Sequence, residues 1–299
     1  MMSTVQRTIR RTISCKGIGL HSGEKVSVSL KPGPVGTGIV FRRTDLNVDI
    51  PATLEYLGPS QVLQTTLVNG KASVDTVEHL LSALRGLAID NVVIELNQPE
   101  VPIMDGSAAP WVYLIQEAGV KEQSAPRKVL RVLRAVTVER GDKTITIFPA
   151  ETFKVSYAIQ FDHPMLRSQK KSLEITEATF IDEIAPARTF GFLKEVELLR
   201  QRGLALGGSL DNAVVLGETG VLNPLRFDDE FVRHKMLDVI GDLALLGHPV
   251  AGHVVVQRGG HALHAELAAE LLRQADAWTV VDASAPAGQR VPVPGTVTA

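Results

Sequence analysis

His234 and Asp238 lie four residues apart in the segment Phe-Asp-Asp-Glu-Phe-Val-Arg-His-Lys-Met-Leu-Asp-Val-Ile-Gly-Asp-Leu-Ala-Leu-Leu-Gly, residues 227–247. On a helix that spacing stacks two side chains one turn above the other. An imidazole and a carboxylate so placed can converge on one ion, and both ligate Zn2+. Lys235 and Asp242 extend the same polar stripe, and Gly241 leaves room beside it for another group to approach. The stripe reads equally as a solvated helix face carrying an ordinary ion pair. Its short side chains suit a rigid site better than a solvated face.

A second imidazole, His79, follows Glu78 in Thr76-Val77-Glu78-His79-Leu80-Leu81-Ser82-Ala83-Leu84. His79, His234 and Asp238 together would offer two nitrogens and one oxygen, with a fourth position left to water, the open arrangement of a catalytic zinc site. Zinc lowers the pKa of its water to about 7, and Glu78 beside a ligand could take the water proton. Asp75-x-x-Glu78 also reads as a helix capping box, which would give Glu78 a purely structural task. His261 follows a glycine pair. Asp242 could hold it and raise its pKa, making it a general acid, or it is an exposed loop residue. His248, His253 and His264 read as bystanders, and His163 before Pro164 as a turn residue.

Composition narrows the class. The chain has 299 residues, 44% hydrophobic and 21% charged, with a net charge of −2. That length suits two domains of roughly 100–150 residues. There is no basic excess, so a nucleic-acid partner is not expected. Cys15 is the single cysteine, which rules out an internal disulfide or a thiolate zinc site and fits a reducing compartment. No apolar h-region or run of about 20 apolar residues marks a leader or a membrane span. The expectation is a cytoplasmic, monomeric protein acting on a small molecule.

The elements that must position these residues follow from periodicity. Strands are expected within 5–30, at 38–42, 61–68, 91–96, 128–138, 143–149, 153–161 and 252–257. Helices are expected at 75–87, 111–119, about 193–202, 227–247 and about 261–274. Residues 123–126 read as a linker, 187–192 as a loop and the end of the chain as a loose tail. Twice, strands lead to a helix with an internal histidine and then to an apolar strand. The expected fold is therefore α+β, two duplicated units packed as a sheet/helix/helix/sheet sandwich. Its divisions are 1–125, 126–280 and the tail 281–299, with His79 and His234 meeting at the junction.

Six ordered blocks carry a resemblance: Gly19-Leu20-His21-Ser22-Gly23, residues 76–84, Val101-Pro102-Ile103-Met104-Asp105-Gly106-Ser107, Ala187-Arg188-Thr189-Phe190-Gly191-Phe192, Leu204-Ala205-Leu206-Gly207-Gly208-Ser209, and His234-Lys235 through Asp238 to Gly241-Asp242-Leu243. Together they resemble the UDP-3-O-acyl-N-acetylglucosamine deacetylases, zinc enzymes of lipid A biosynthesis in Gram-negative bacteria. The resemblance implies a small insert in each domain, near 35–70 and near 188–216. It implies one Zn2+ per chain, or Fe2+, on His79, His234 and Asp238. Glu78 would be the base, and His261 the acid, oriented by Asp242. Thr189 would bind the oxyanion, and Lys235 the diphosphate or sugar. Val196, Leu199, Leu204, Ala205, Leu210 and Ala213 would line an acyl-chain passage, with Leu20, His21, Phe190, Phe192 and Arg200 as further substrate contacts. The alternative is a non-catalytic acyl-sugar-binding protein with a structural metal.

Overall fold

Two mixed sheets dominate the computed structural model, which describes residues 3–59 and 61–284. In Lys25–Pro32, Val26, Val28 and Leu30 are buried while their neighbours are not, the alternation of a strand with one covered face. The first sheet runs Ile13–Ile18, Lys25–Pro32, Val92–Leu96, Ile39–Arg43, Val48–Pro51. Its central strand, Val92–Leu96, is antiparallel to Lys25–Pro32 and parallel to Ile39–Arg43. In the second sheet Val250–Gln257 is central, antiparallel to Lys143–Phe148 and parallel to Phe153–Ile159. Val136–Arg140 and Gln169–Glu174 complete the hairpins on either side. The order of pairing directions across these five strands repeats that of the first sheet. Lys128–Val132 and Trp278–Asp282 extend the second sheet.

The helices are α1 (Glu78–Gly86), α2 (Ala109–Ala118), α3 (Glu177–Thr179), α4 (Leu193–Gln201), α5 (Glu230–Asp242) and α6 (His261–Arg273). Helix α1 packs on α5 and α2, α5 on α6 and on the strands at 153–159 and 169–174, and α6 on the hairpin 136–148. One continuous apolar core runs through this stack, from Phe41 and Trp111 to Met236 and Leu267. The fold is α+β. Among the described residues, no helix is long and apolar enough to cross a membrane.

Several elements differ from expectation. Helix α1 begins at Glu78 rather than Asp75, because Thr76 sits at φ 57° and Asp75 bridges to Glu100. The capping box therefore does not form. Residues 61–66 are irregular: Gln61 accepts the Thr66 N–H and Glu78 accepts the Thr65 N–H, so side chains take bonds a strand partner would need. The 123–126 segment belongs to a strand, Val120–Pro126, paired antiparallel with Val5–Ile9; its small polar residues suit a half-exposed two-stranded ribbon. Ile39–Arg43 and Val48–Pro51 belong to the main sheet, and the small hairpin of that region is Leu67–Asn69 with Ala72–Val74. Phe190–Phe192, read as a loop from its local sequence although the resemblance implies a β-α-β element near 188–216, is a strand parallel to Val214–Leu216, with α4 between them. Strand Trp278–Asp282 runs past residue 280, and the tail beyond 284 lies outside the described residues.

Candidate metal centre and active site

Helix α5 is apolar on one face, through Val232, Met236 and Val239, and polar on the other, yet both faces are buried. His234, Asp238 and Asp242 are only 1–2% exposed, which removes the solvated-face reading. The polar face meets the first turn of α1. Gly241 permits that approach, because a Cβ there would collide with the Glu78 carbonyl oxygen. This crossing brings His79 to the α5 stripe.

The imidazoles of His79 and His234 meet edge to face, with ring centroids 4.9 Å apart. Asp238 Oδ1 lies 3.3 Å from His234 Nε2 and 3.8 Å from His79 Nε2. One donor atom from each of the three residues falls within 4.8 Å of the others. Asp238 Oδ1 is buried without a hydrogen-bond partner, an arrangement that is costly unless a cation fills the gap. The other side of two of these ligands is engaged, while His79 Nδ1 is buried without a hydrogen-bond partner among the described residues. His234 Nδ1–H donates to the Ala187 carbonyl at 3.0 Å, which leaves Nε2 free as a ligand. Lys235 Nζ donates to Asp238 Oδ2 at 2.7 Å. Burial, and then the charge of His234, lowers the His79 pKa to about 3, so its imidazole is neutral and able to ligate. Burial also lowers His234. For Asp238 burial acts upward, but the neighbouring charges of Lys235 and His234 prevail and hold it well below the carboxylate range. Two neutral imidazoles and a carboxylate fit a borderline N/O-ligated cation such as Zn2+ or Fe2+.

Glu78 lies beside this group. Its Oε2 accepts the Thr65 N–H at 3.0 Å, and its Oε1 is 3.9 Å from His261 Nε2. Burial lifts its pKa to about 7, the range where a carboxylate is an effective general base. His261 is the first residue of α6, not a loop residue, and is 7% exposed. Its Nδ1–H donates to Asp242 Oδ2 at 2.8 Å. Burial acts to lower its pKa, but Asp242 and Asp238 outweigh that and raise it to about 9. For Asp242 burial acts upward, while the His261 charge and the bonds from His261 and His264 bring it to about 2.

His264 is no bystander. Its Nδ1–H donates to Asp242 Oδ2 at 2.7 Å, and its Nε2 accepts from the Tyr157 hydroxyl at 3.1 Å. Thr65 also donates to Asp242, at 2.5 Å. The His261-x-x-His264 spacing on one helix face was the signal for this residue; nothing local pointed to Thr65 or Tyr157.

An apolar cavity of about 390 Å³ adjoins the site at Thr189. Leu20, His21, Phe190 and Val196 line it, as do Leu199, Arg200, Ala205, Leu210 and Ala213. Leu63, Leu193, Val215 and Leu222 also line it, without having been expected there. Phe192 instead packs on Phe161 and His163, and Leu204 turns back onto α4 through its N–H to the Leu199 carbonyl. Thr189, in the cavity lining, is fixed by its N–H to the Gly106 carbonyl and by its own carbonyl, which accepts the Val214 N–H.

Residues 6–273 match the family described as LpxC, UDP-3-O-acyl N-acetylglycosamine deacetylase. A protein of Pseudomonas entomophila named UDP-3-O-acyl-N-acetylglucosamine deacetylase is 55% identical over 282 residues, covering 92% of this chain and 93% of that one. One of the same name from Alcanivorax borkumensis is 51% identical over 282 residues, covering 92% of each chain. The chain belongs to the UDP-3-O-acyl N-acetylglycosamine deacetylase family.

Proposed function

We propose that this chain hydrolyses the acetamide of a UDP-3-O-acyl-N-acetylglucosamine, releasing acetate and the free amine, as a step of lipid A biosynthesis. On this reading it works as a cytoplasmic monomer holding one Zn2+ or Fe2+ on His79, His234 and Asp238. The bound cation supplies Lewis acidity at the amide carbonyl. Glu78, steadied by Thr65, takes a proton from the attacking water. His261, held as an imidazolium by Asp242, gives a proton to the departing amine. Thr189, in the cavity lining, donates to the oxygen that gains charge. Lys235 orients Asp238 and leaves a positive charge facing the sugar nucleotide. The apolar cavity takes the acyl chain.

The observation carrying this reading is that Glu78 and His261 lie side by side next to the His79–His234–Asp238 group, each held by a hydrogen bond at its other atom, Glu78 from the Thr65 N–H and His261 to Asp242. A closed structural site would recruit a fourth protein ligand. Among the described residues, the ligand atoms that fall within 4.8 Å of one another here come from His79, His234 and Asp238, with Glu78 and His261 outside that set. The test is acetate release from the acylated sugar nucleotide, measured alongside metal content. Acetate released in proportion to bound metal is expected; full metal content with no acetate released sinks the catalytic reading.

A further inference from the structure

A second cavity, of about 520 Å³, opens beside the far ends of α1 and α5. Arg85 lies on it, near the end of α1, roughly 9 Å along the helix axis from His79. Part of its lining is apolar: Phe153, Ile240, Leu243 and Val250. Part is basic: Arg7, Arg85 and Arg127.

These cations are unequally matched. Arg127 donates to Asp90 at 2.9 Å, while Arg7 reaches Glu177 at 3.4 Å and has Glu122 4.0 Å from its Nε. Arg85 has no carboxylate partner among the described residues. Its Nη2 donates to the Ala244 carbonyl at 3.1 Å, while its Nε is buried with no acceptor. The Arg7 Nε is buried without a hydrogen bond as well. Asp90, the carboxylate charge that Arg85 feels, is already engaged by Arg127 and the Arg7 N–H. The carbonyl end of α1 offsets part of the Arg85 charge but gives Nε no acceptor. Burial lowers Arg85 only to about 10, so it stays charged at neutral pH. A buried guanidinium N–H without an acceptor is costly, and its planar fork matches an oxyanion.

We propose that this cavity binds an anionic amphiphile: a compact oxyanion head, carboxylate or phosphate, on Arg85 and Arg7, with a short apolar chain along Ile240, Leu243 and Val250. Glu174 and Glu177 also line the cavity, so the head sits at Arg85, where no carboxylate competes. The site is separate from the acyl-chain cavity at Thr189, and its test does not depend on deacetylase turnover.

Calorimetric titration of the full chain at low salt, paired with thermal melting, compares decanoate, decyl phosphate, decanol and acetate. Decanoate or decyl phosphate binds and raises Tm; whichever binds more tightly identifies the head group. Decanol and acetate bind at least about tenfold more weakly, for want of head or chain. Arg85→Met weakens the binding by about tenfold or more. Ala178→Trp, placed at an exposed lining position on α3, weakens it without altering the buried arginine. That second variant decides the matter if Arg85→Met does not fold. Absence of binding by both anions, equal binding of decanol, or binding unaffected by Ala178→Trp overturns the proposal.

Discussion

Two groups of two histidines and one aspartate are built around Asp238 and Asp242, which lie one turn apart on α5, and they have opposite fates. His79, His234 and Asp238 face one another at 3.3 Å or more across a gap, with Asp238 Oδ1 buried and unpartnered. His261, His264 and Asp242 are closed on themselves, with both imidazoles within 2.8 Å of one carboxylate oxygen and Thr65 on the other. The types are identical, so residue identity does not decide which group is a metal site. What decides is whether the donor atoms are already spent on each other. The open group suits a cation; the closed group is a device for holding His261 charged.

The comparison breaks most visibly at the open group. Alanine at His79, His234 or Asp238 should lower bound metal to background and turnover by about 10³-fold, the worth of several kcal/mol of charge stabilisation. Elemental analysis of the unaltered chain should find one metal; two would mean that the closed group binds as well. Glu78→Gln should leave metal in place and cut turnover by about 10²- to 10⁴-fold, and metal loss in that variant would make Glu78 a ligand instead.

The closed group is tested more gently. Asp242→Asn should retain the metal and lower turnover by about 10- to 100-fold. The pH–rate profile should move with it. With the cation bound, turnover should rise as Glu78 loses its proton and fall as His261 loses its own, at about 9 or lower because the nearby cation disfavours the imidazolium. The Glu78 limb lies at about 7 or lower, since a bound cation pulls the acid down further. Removing the Asp242 charge lowers the His261 pKa and, to a lesser degree, that of Glu78, so both limbs should shift to lower pH, the alkaline limb further. An unmoved alkaline limb assigns it to another group. Tyr157→Phe removes only the bond to His264 and should cost about two- to tenfold in turnover, with metal content unchanged.

Much of this was legible along the chain. The four-residue spacing of His234, Asp238 and Asp242, the glycine at 241 and the repeated strand–helix pattern pointed to the α+β class and to the open group. The periodicity of α5 was plain, because a helix declares itself over local distances. Less legible was anything set by partners far away. Glu78 read equally well as a cap until Thr76 took a left-handed backbone and Thr65 came to hold the carboxylate.

Residues 61–66 show the same division from the other side. Their alternation suited a strand, but their hydrogen bonds go to Gln61 and Glu78, and no local rule gives that preference. His264 read as a bystander because its partners, Asp242 and Tyr157, are 22 and 107 residues away in sequence. The sequence by itself determined the donor types, their spacing on each helix and the neutral, single-cysteine composition that leaves only N and O ligands. Only the tertiary structure decided which aspartate is left open and which is closed, because that depends on how near α1 and α6 approach α5. The α1 approach is governed by a missing side chain at Gly241.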